Sequence, residues 1–316
     1  MSPLPAWLHT PSPTLAIDID ARRVVAVQVR RSGGAPVVEA QAAVALPAGA
    51  VVPALTATNI PQREVVVAVI RRAVDLVGGR HKRCALVVPD TVAKVTLLRF
   101  EAVPAQPRDL QQLVRLQLRK ALPFPVEQAQ ISIVEGRRDA GGQEFLAVAA
   151  RLDVVAEYEA VCAGAGLHAG SVDVSTLNIV NTVLLGDDAR GAVEGDWLLV
   201  HAGPDYSSLA IVRDGAVIFF RTRAADAEEH LADVVHQTRM YFEDRLGGTG
   251  FARVLLAGVD SRDTRLLAHE LASRLNVAVE AVDVRRAAAL GDRLPDATPD
   301  VLASLAAPAG LVLREG

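Results

Sequence analysis

Residues 15–29 read LAIDIDARRVVAVQV. Leu15, Ile17 and Ile19 alternate with other residues, and Val25, Val27 and Val29 do the same. Period-two alternation predicts two strands, each with one face toward a core. The polar turn at 20–23 joins them into a hairpin. Beyond a turn at Gly33-Gly34, residues 36–46 (PVVEAQAAVAL) predict a third strand. The same design returns at residues 197–223, WLLVHAGPDYSSLAIVRDGAVIFFRTR. Strand, polar turn and strand are followed there by a turn at Asp214-Gly215 and another strand. Each copy opens one half of the chain, so the repeat predicts a duplicated, two-lobed α/β protein.

Working outward, a turn-rich lead of about 14 residues precedes the first hairpin. After the third strand, Asn59 reads as a helix N-cap with Pro61 in the first turn, and Gly78-Gly79 ends that helix after Val77. CALVVP at 84–89 is a buried strand. The pattern then changes to strand (91–100), amphipathic helix (107–122) and two strands joined at Gly141-Gly142. Leu110, Leu113, Val114, Leu118 and Leu122 share one side of that helix, and Pro123 and Pro125 stop it. This predicts a compact module inserted into the first lobe. A helix at 154–163, a short strand SVDV and a helix to about Leu185 complete that lobe. The polar, Gly-rich LGDDARGAVEGD at 185–196 marks the lobe boundary. In the second lobe a helix at 227–246 follows the hairpin. Strand ARVLLAG, a helix at 261–275, strand VAVEAVDV and a closing helix ASLAAPAGLVLRE come after it. The expected division is 1–89 with 152–190, the module 90–151, and the second lobe 191–316.

The chain has 316 residues, about half of them apolar, and a formal charge of −4. Arginines are scattered among carboxylates, which leaves no electrostatic footprint for nucleic acid. No uncharged run approaches the roughly 20 residues that cross a bilayer. The start of the chain lacks the charged and apolar regions of a signal peptide. Cys84 and Cys162 lie in apolar patterns and read as buried thiols, which fits a reducing compartment. A cytoplasmic protein is expected.

The ordered series of segments resembles a known family, the type IV pilus assembly protein PilM family. The opening hairpin, RKALPFPVEQAQISI (119–133), FLAVAARLDVVAEYEAVCAGAGLHAGSVDVSTLNIVN (145–181), the second hairpin, VVHQTRMYFEDR (234–245), VLLAG and AGLVLR carry the likeness. The resemblance implies an actin-like fold: two ribonuclease-H-like lobes and an inserted strand–helix–strand–strand module. The related cell-division actin homologue adds a membrane helix, and the type II secretion relative continues into a transmembrane segment. Neither signature is found in this sequence.

Actin-like proteins hold ATP phosphates between two Asp-x-Gly turns, where glycine admits backbone N–H groups close to an anion. Here the first turn is Asp18-Ile19-Asp20, the second His201-Ala202-Gly203, and the late adenosine turn is Gly258-Val259. Each departs from the pattern. A carboxylate at Asp20 facing a phosphate oxygen at about 4 Å costs roughly 1 kcal/mol in water and about 4 kcal/mol at an effective dielectric near 20. A micromolar affinity amounts to roughly 8 kcal/mol. Arg22 and Arg23 neutralising that charge, or Asp18 and Asp20 sharing a metal, are the two rescues; a solvated turn is the plainer reading. His201 reads as a strand-end polar residue rather than a base. The residues the resemblance assigns to a vestigial nucleotide site are Asp18, Asp20, Gly203, Ser207, Ser208 and Gly258. No cofactor is expected, ATP and Mg²⁺ being the ligands a residual site would take. No P-loop, nucleophile elbow, Cys-x-x-Cys or metal-spaced His pair occurs.

The resemblance implies a non-catalytic scaffold at the cytoplasmic face of the inner membrane. Such a scaffold holds the tail of a bitopic PilN-like protein and links motor to periplasmic alignment complex. The motor ATPase and self-association are further expected contacts. The tail's groove would lie between the first lobe and the module, with Val95, Leu97, Leu98, Leu146 and Val148 on its strands and Arg115 and Arg119 on its helix. An active actin-like ATPase or sugar-kinase-type enzyme, and a filament-forming protein, are the alternatives. An intact Asp-x-Gly pair would favour the former.

Overall fold

The computed structural model describes residues 13–31, 35–191, 194–224, 230–258, 261–294 and 296–314. Most of the expected lead, the Gly33-Gly34 turn and Val259 lie outside the described residues. The first hairpin forms as expected. Strand β1 (Leu15–Ile19) pairs antiparallel with β2 (Arg23–Arg30), and β2 with β3 (Val37–Ala45). Helix α1 (Arg63–Val77) leads to β4 (Arg83–Val88), which lies parallel to β1. The module follows as β5 (Ala93–Phe100), α2 (Pro107–Leu118), β6 (Ala129–Asp139) and β7 (Gly142–Arg151). Then come α3 (Leu152–Gly164), β8 (His168–Val174), parallel to β4, and α4 (Ser175–Arg190).

The second lobe repeats the plan with β9 (Trp197–Ala202), β10 (Tyr206–Arg213), β11 (Ala216–Ala224), α5 (Leu231–Arg245), β12 (Arg253–Ala257), α6 (Ser261–Leu275) and β13 (Val279–Ala281). Strand β14 (Ala289–Leu290) and helix α7 (Pro299–Arg314) close the chain. The first sheet has the order β14-β3-β2-β1-β4-β8 and the second β11-β10-β9-β12-β13. Apart from the added β14, each sheet is the antiparallel meander that the repeat predicted, extended by two parallel strands.

Alternation along the central strands sorts residues between two cores. Leu15, Ile17 and Ile19 face α1 and α3, among Val66, Ile70, Tyr158 and Val161. Ala16 faces the other way, into a core shared by both lobes. There Ile179 and Val180 of α4 and Leu305 and Leu311 of α7 meet Leu199, Val212 and Leu255 of the second sheet. Helices α4 and α7 are therefore sandwiched between the sheets. Their close approach explains the small residues of ASLAAPAG. A Cβ on Gly310 would lie 2.0 Å from the Asn178 carbonyl oxygen.

Five expectations are corrected. Asn59 is not a helix cap: α1 starts at Arg63, and Asn59 is fully buried, pinning residues 54–57 and accepting the Tyr158 hydroxyl at 3.2 Å. Helix α2 ends at Leu118, four residues early. Helix α4 continues past the expected end near Leu185 to Arg190, into the first half of the segment expected to separate the lobes, and Asp187 on this extra turn forms a buried ion pair with Arg253 of β12. VAVEAVDV forms only the three-residue β13, since Asp283 instead caps a short turn by accepting from the Arg285 amide at 3.0 Å. Finally, β14 pairs with β3, and α7 packs on α4 and the first sheet. The last stretch of 191–316 thus belongs structurally with the first lobe, where its apolar face is buried.

Candidate functional site

The central cleft lies at the C-terminal ends of β1 and β4, where the two hairpin turns face each other. It encloses about 470 Å³ and is lined by Asp18, Asp20, Gly203 and Gly258, with Tyr206 and Asp300 among the other walls. Four of the six expected nucleotide-site residues therefore converge. Ser207 and Ser208 do not line it. Ser207 belongs to the β9–β10 ladder, and Ser208 is fully buried, donating to the Asp90 carboxylate at 2.6 Å. Strand alternation sends successive residues to opposite faces, so both serines could not have faced one ligand.

The geometry of the first turn is decisive. Asp20 Oδ1 accepts from the backbone N–H of Arg22 at 2.6 Å and of Arg23 at 2.8 Å. This is a carboxylate-closed turn. The donors that a glycine would leave open to an anion are already bonded to the chain's own carboxylate. Arg23 also pairs with Asp20, Nε to Oδ2 at 3.5 Å. Arg22 reaches across the cleft and donates to Pro204 O at 2.9 Å. Both arginines line the cleft, Arg23 beside Asp20 and Arg22 on Pro204 O, so each already has a partner within the two turns. Burial, then the neighbouring Asp20 carboxylate, push the Asp18 carboxyl up to about 8; Asp90 adds to the rise and Arg23 opposes it. Burial and Asp20 likewise raise Asp205, beside the second turn.

The second turn is filled by Tyr206. Its ring would lie 2.7 Å from a Cβ on Gly203 and stands edge-on to His201 at 5.4 Å. Burial lifts its hydroxyl well above the ordinary range. Gly258 is required on two counts: φ is +87°, and a Cβ would meet the His201 ring at 2.5 Å and Ala202 O at 2.6 Å. Among the described residues, no group of three His, Cys, Asp or Glu is placed to hold a metal. Asp90, Thr176 and Tyr206 escaped the sequence reading. Asp90 stands just past the C-terminal end of a parallel strand, where α/β proteins place functional groups, and that position was the available signal.

The module's sheet has the order β5-β7-β6. Val95, Leu97, Leu146 and Val148 share the face packed toward the first lobe. Leu98, one residue out of phase, packs with Phe145 and α2 in the module's own core. It therefore lies on the sheet face opposite the other four. Arg115 donates to Val126 O at 3.1 Å and Arg119 to Glu127 at 3.5 Å, so both expected groove cations are held by the segment after α2. Among the described residues β5 pairs in the ladder with β7 alone, and no strand pairs with its outer edge.

Comparison with known proteins supports this architecture. A solved structure described as a PilM-PilN type IV pilus biogenesis complex superposes with a TM-score of 0.81 at 17% identity, over 96% of this chain and 99% of that one. A Bacteroides thetaiotaomicron protein with an actin-like ATPase fold and unknown function gives a TM-score of 0.53 at 8% identity, covering 84% and 89%. These likenesses establish the actin-like fold. Residues 16–244, most of the chain, match the family described as type IV pilus assembly protein PilM. By that match, and with its fold in agreement, this chain is a member of the PilM family.

Proposed function

We propose that this chain is a non-catalytic scaffold of type IV pilus assembly, which binds the tail of a PilN-like protein and neither needs nor hydrolyses nucleotide. The observation that carries the non-catalytic part is the Asp20 carboxylate seated on the Arg22 and Arg23 amides. An anion entering the cleft would have to displace it from those donors. The partner is taken from the structural neighbour, a PilM-PilN complex. The unpaired edge of β5, with Val95 and Leu97 beside it, suits an extended segment that adds main-chain hydrogen bonds and side-chain pockets.

No helix among the described residues is long and apolar enough to cross a membrane. Attachment at the inner membrane is therefore assigned to the partner. Calorimetry with Mg-ATP and, separately, with a synthetic PilN-type tail peptide tests both halves. The expected result is that the peptide binds and that Mg-ATP gives no heat. Micromolar Mg-ATP affinity with turnover would make the chain an active ATPase, and a silent peptide titration would remove the scaffold's proposed partner.

A further inference from the structure

We propose that in this chain protein groups take the place of a nucleotide in clamping the two lobes across the cleft, with the buried Asp90 carboxylate as the bridging anion. The inference rests on the reading of the cleft as one that functions without nucleotide.

Asp90 stands two residues past the end of β4, after Pro89, and is fully buried. Its Oδ1 accepts from the Thr176 amide at 2.9 Å, in the first turn of α4. Its Oδ2 accepts from the Thr176 hydroxyl and, at 2.6 Å, from Ser208 on β10 of the second lobe. A hydroxyl has one proton to give. Ser208 gives its proton to Asp90 and so accepts from Thr222 of β11, 2.8 Å away. Thr176 gives its proton to Asp90 and so accepts from His201 Nδ1 of β9 at 2.7 Å. Three strands of the second lobe and one helix of the first thus direct their donors, at one or two removes, to a single carboxylate. At the cleft mouth the bond from Arg22 to Pro204 O ties hairpin turn to hairpin turn.

A phosphate between two lobes joins them by accepting hydrogen bonds from both. Asp90 does the same with oxygens that belong to the chain. Charge-assisted bonds are strong in a dry site, and a buried carboxylate deprived of its donors is costly, so separation of the lobes is opposed. Asp90 also begins the three-residue turn Asp90–Val92 that runs straight into β5. Any occupant that shifts β5 pulls on the clamp, which joins the groove to lobe closure through one short covalent path.

The test uses the full chain with spin labels at Leu76→Cys and Leu266→Cys, exposed positions on α1 and α6. Cys84 and Cys162 are buried and stay unlabelled. In the labelled parent we expect one narrow inter-lobe distance distribution, the same with and without Mg-ATP. Ser208→Ala, a small change with little risk to folding, should widen it about twofold, as for a released hinge. The same variant should speed deuterium exchange at the Thr176 amide about tenfold. Asp90→Asn is the stronger variant. An unchanged distribution and exchange rate in Ser208→Ala overturn the clamp, whatever nucleotide does. A parent distribution that narrows on adding Mg-ATP overturns instead the nucleotide-independent reading on which the clamp rests.

Discussion

At the scale of single residues, the cleft is decided by carboxylates. Asp18 has an ordinary value of 3.8 and is raised to about 8 in the folded chain. Between those limits the native state binds more protons than the unfolded one, so this group's contribution is complete below about pH 4 and is lost as pH rises through about 8. Asp18→Asn removes that loss. Melting temperatures of variant and parent should be similar near pH 5 and diverge in the variant's favour toward pH 8.5; a difference that stays constant with pH would dismiss the account. Asp20 and His201 invite the opposite experiment, restoration of a phosphate cradle. Asp20→Gly frees the Arg22 and Arg23 amides, and Mg-ATP affinity should rise at least about tenfold, the scale of one charge-assisted bond gained and one repulsion removed. His201→Asp should not help. Its Nδ1 is 3.8 Å from Asp90, and a second carboxylate in that dry position should cost about 3 kcal/mol in urea denaturation. Calorimetry on each single variant separates the two effects.

At the scale of elements, the module shows what one residue of register does. Leu97 and Leu98 are adjacent in sequence and face different cores. Leu98→Ala should cost about 2 kcal/mol of stability, by cavity formation against α2, without altering tail-peptide affinity of the folded protein. Leu97→Ala should weaken the peptide about tenfold, as an interface anchor does, with a smaller loss of stability. Equal effects of the two substitutions on affinity, measured by fluorescence anisotropy of a labelled peptide, would place the groove elsewhere. The helix α2 arginines answer a question the sequence left open. Arg115 and Arg119 secure the loop behind their helix, so replacing Arg119 by Ala should leave peptide binding unchanged.

At the scale of the whole molecule, the lobes are joined at two ends of α4. Its first turn carries the Asp90 clamp, and its far end carries Asp187. The Asp187 carboxylate holds Arg253 with Nη1 to Oδ1 at 3.1 Å, Arg286 stands 3.6 Å away, and the Arg253 guanidinium lies over the Trp197 ring at 5.1 Å. Removing one partner strands a buried charge. Asp187→Asn should therefore cost about 3 kcal/mol by chemical denaturation, and should loosen the second lobe as a unit. A loss under about 1 kcal/mol would show that solvent reaches the pair.

Local pattern alone determined the two hairpins, the meander in each lobe, the module's element order and the glycine turns. Those features depend on residues a few positions apart: alternation along β1 and β2, Gly78-Gly79 after α1, Asp214-Gly215 between β10 and β11. The damaged Asp-x-Gly turns were legible for the same reason, although how Asp20 acts was not. Only the tertiary structure decided that Asp20 closes its own turn, that Ser208 leaves the cleft for Asp90, that Asn59 locks a loop, and that α7 returns to the first lobe. Ser208 and Asp90 are 118 positions apart, and Gln41 of β3, which donates to the Ser304 hydroxyl of α7 at 3.4 Å, is 263 positions from it. Such contacts arise when packed sheets bring distant segments together, and the burial that makes a lone carboxylate a strong bridge exists only after both lobes have closed around it.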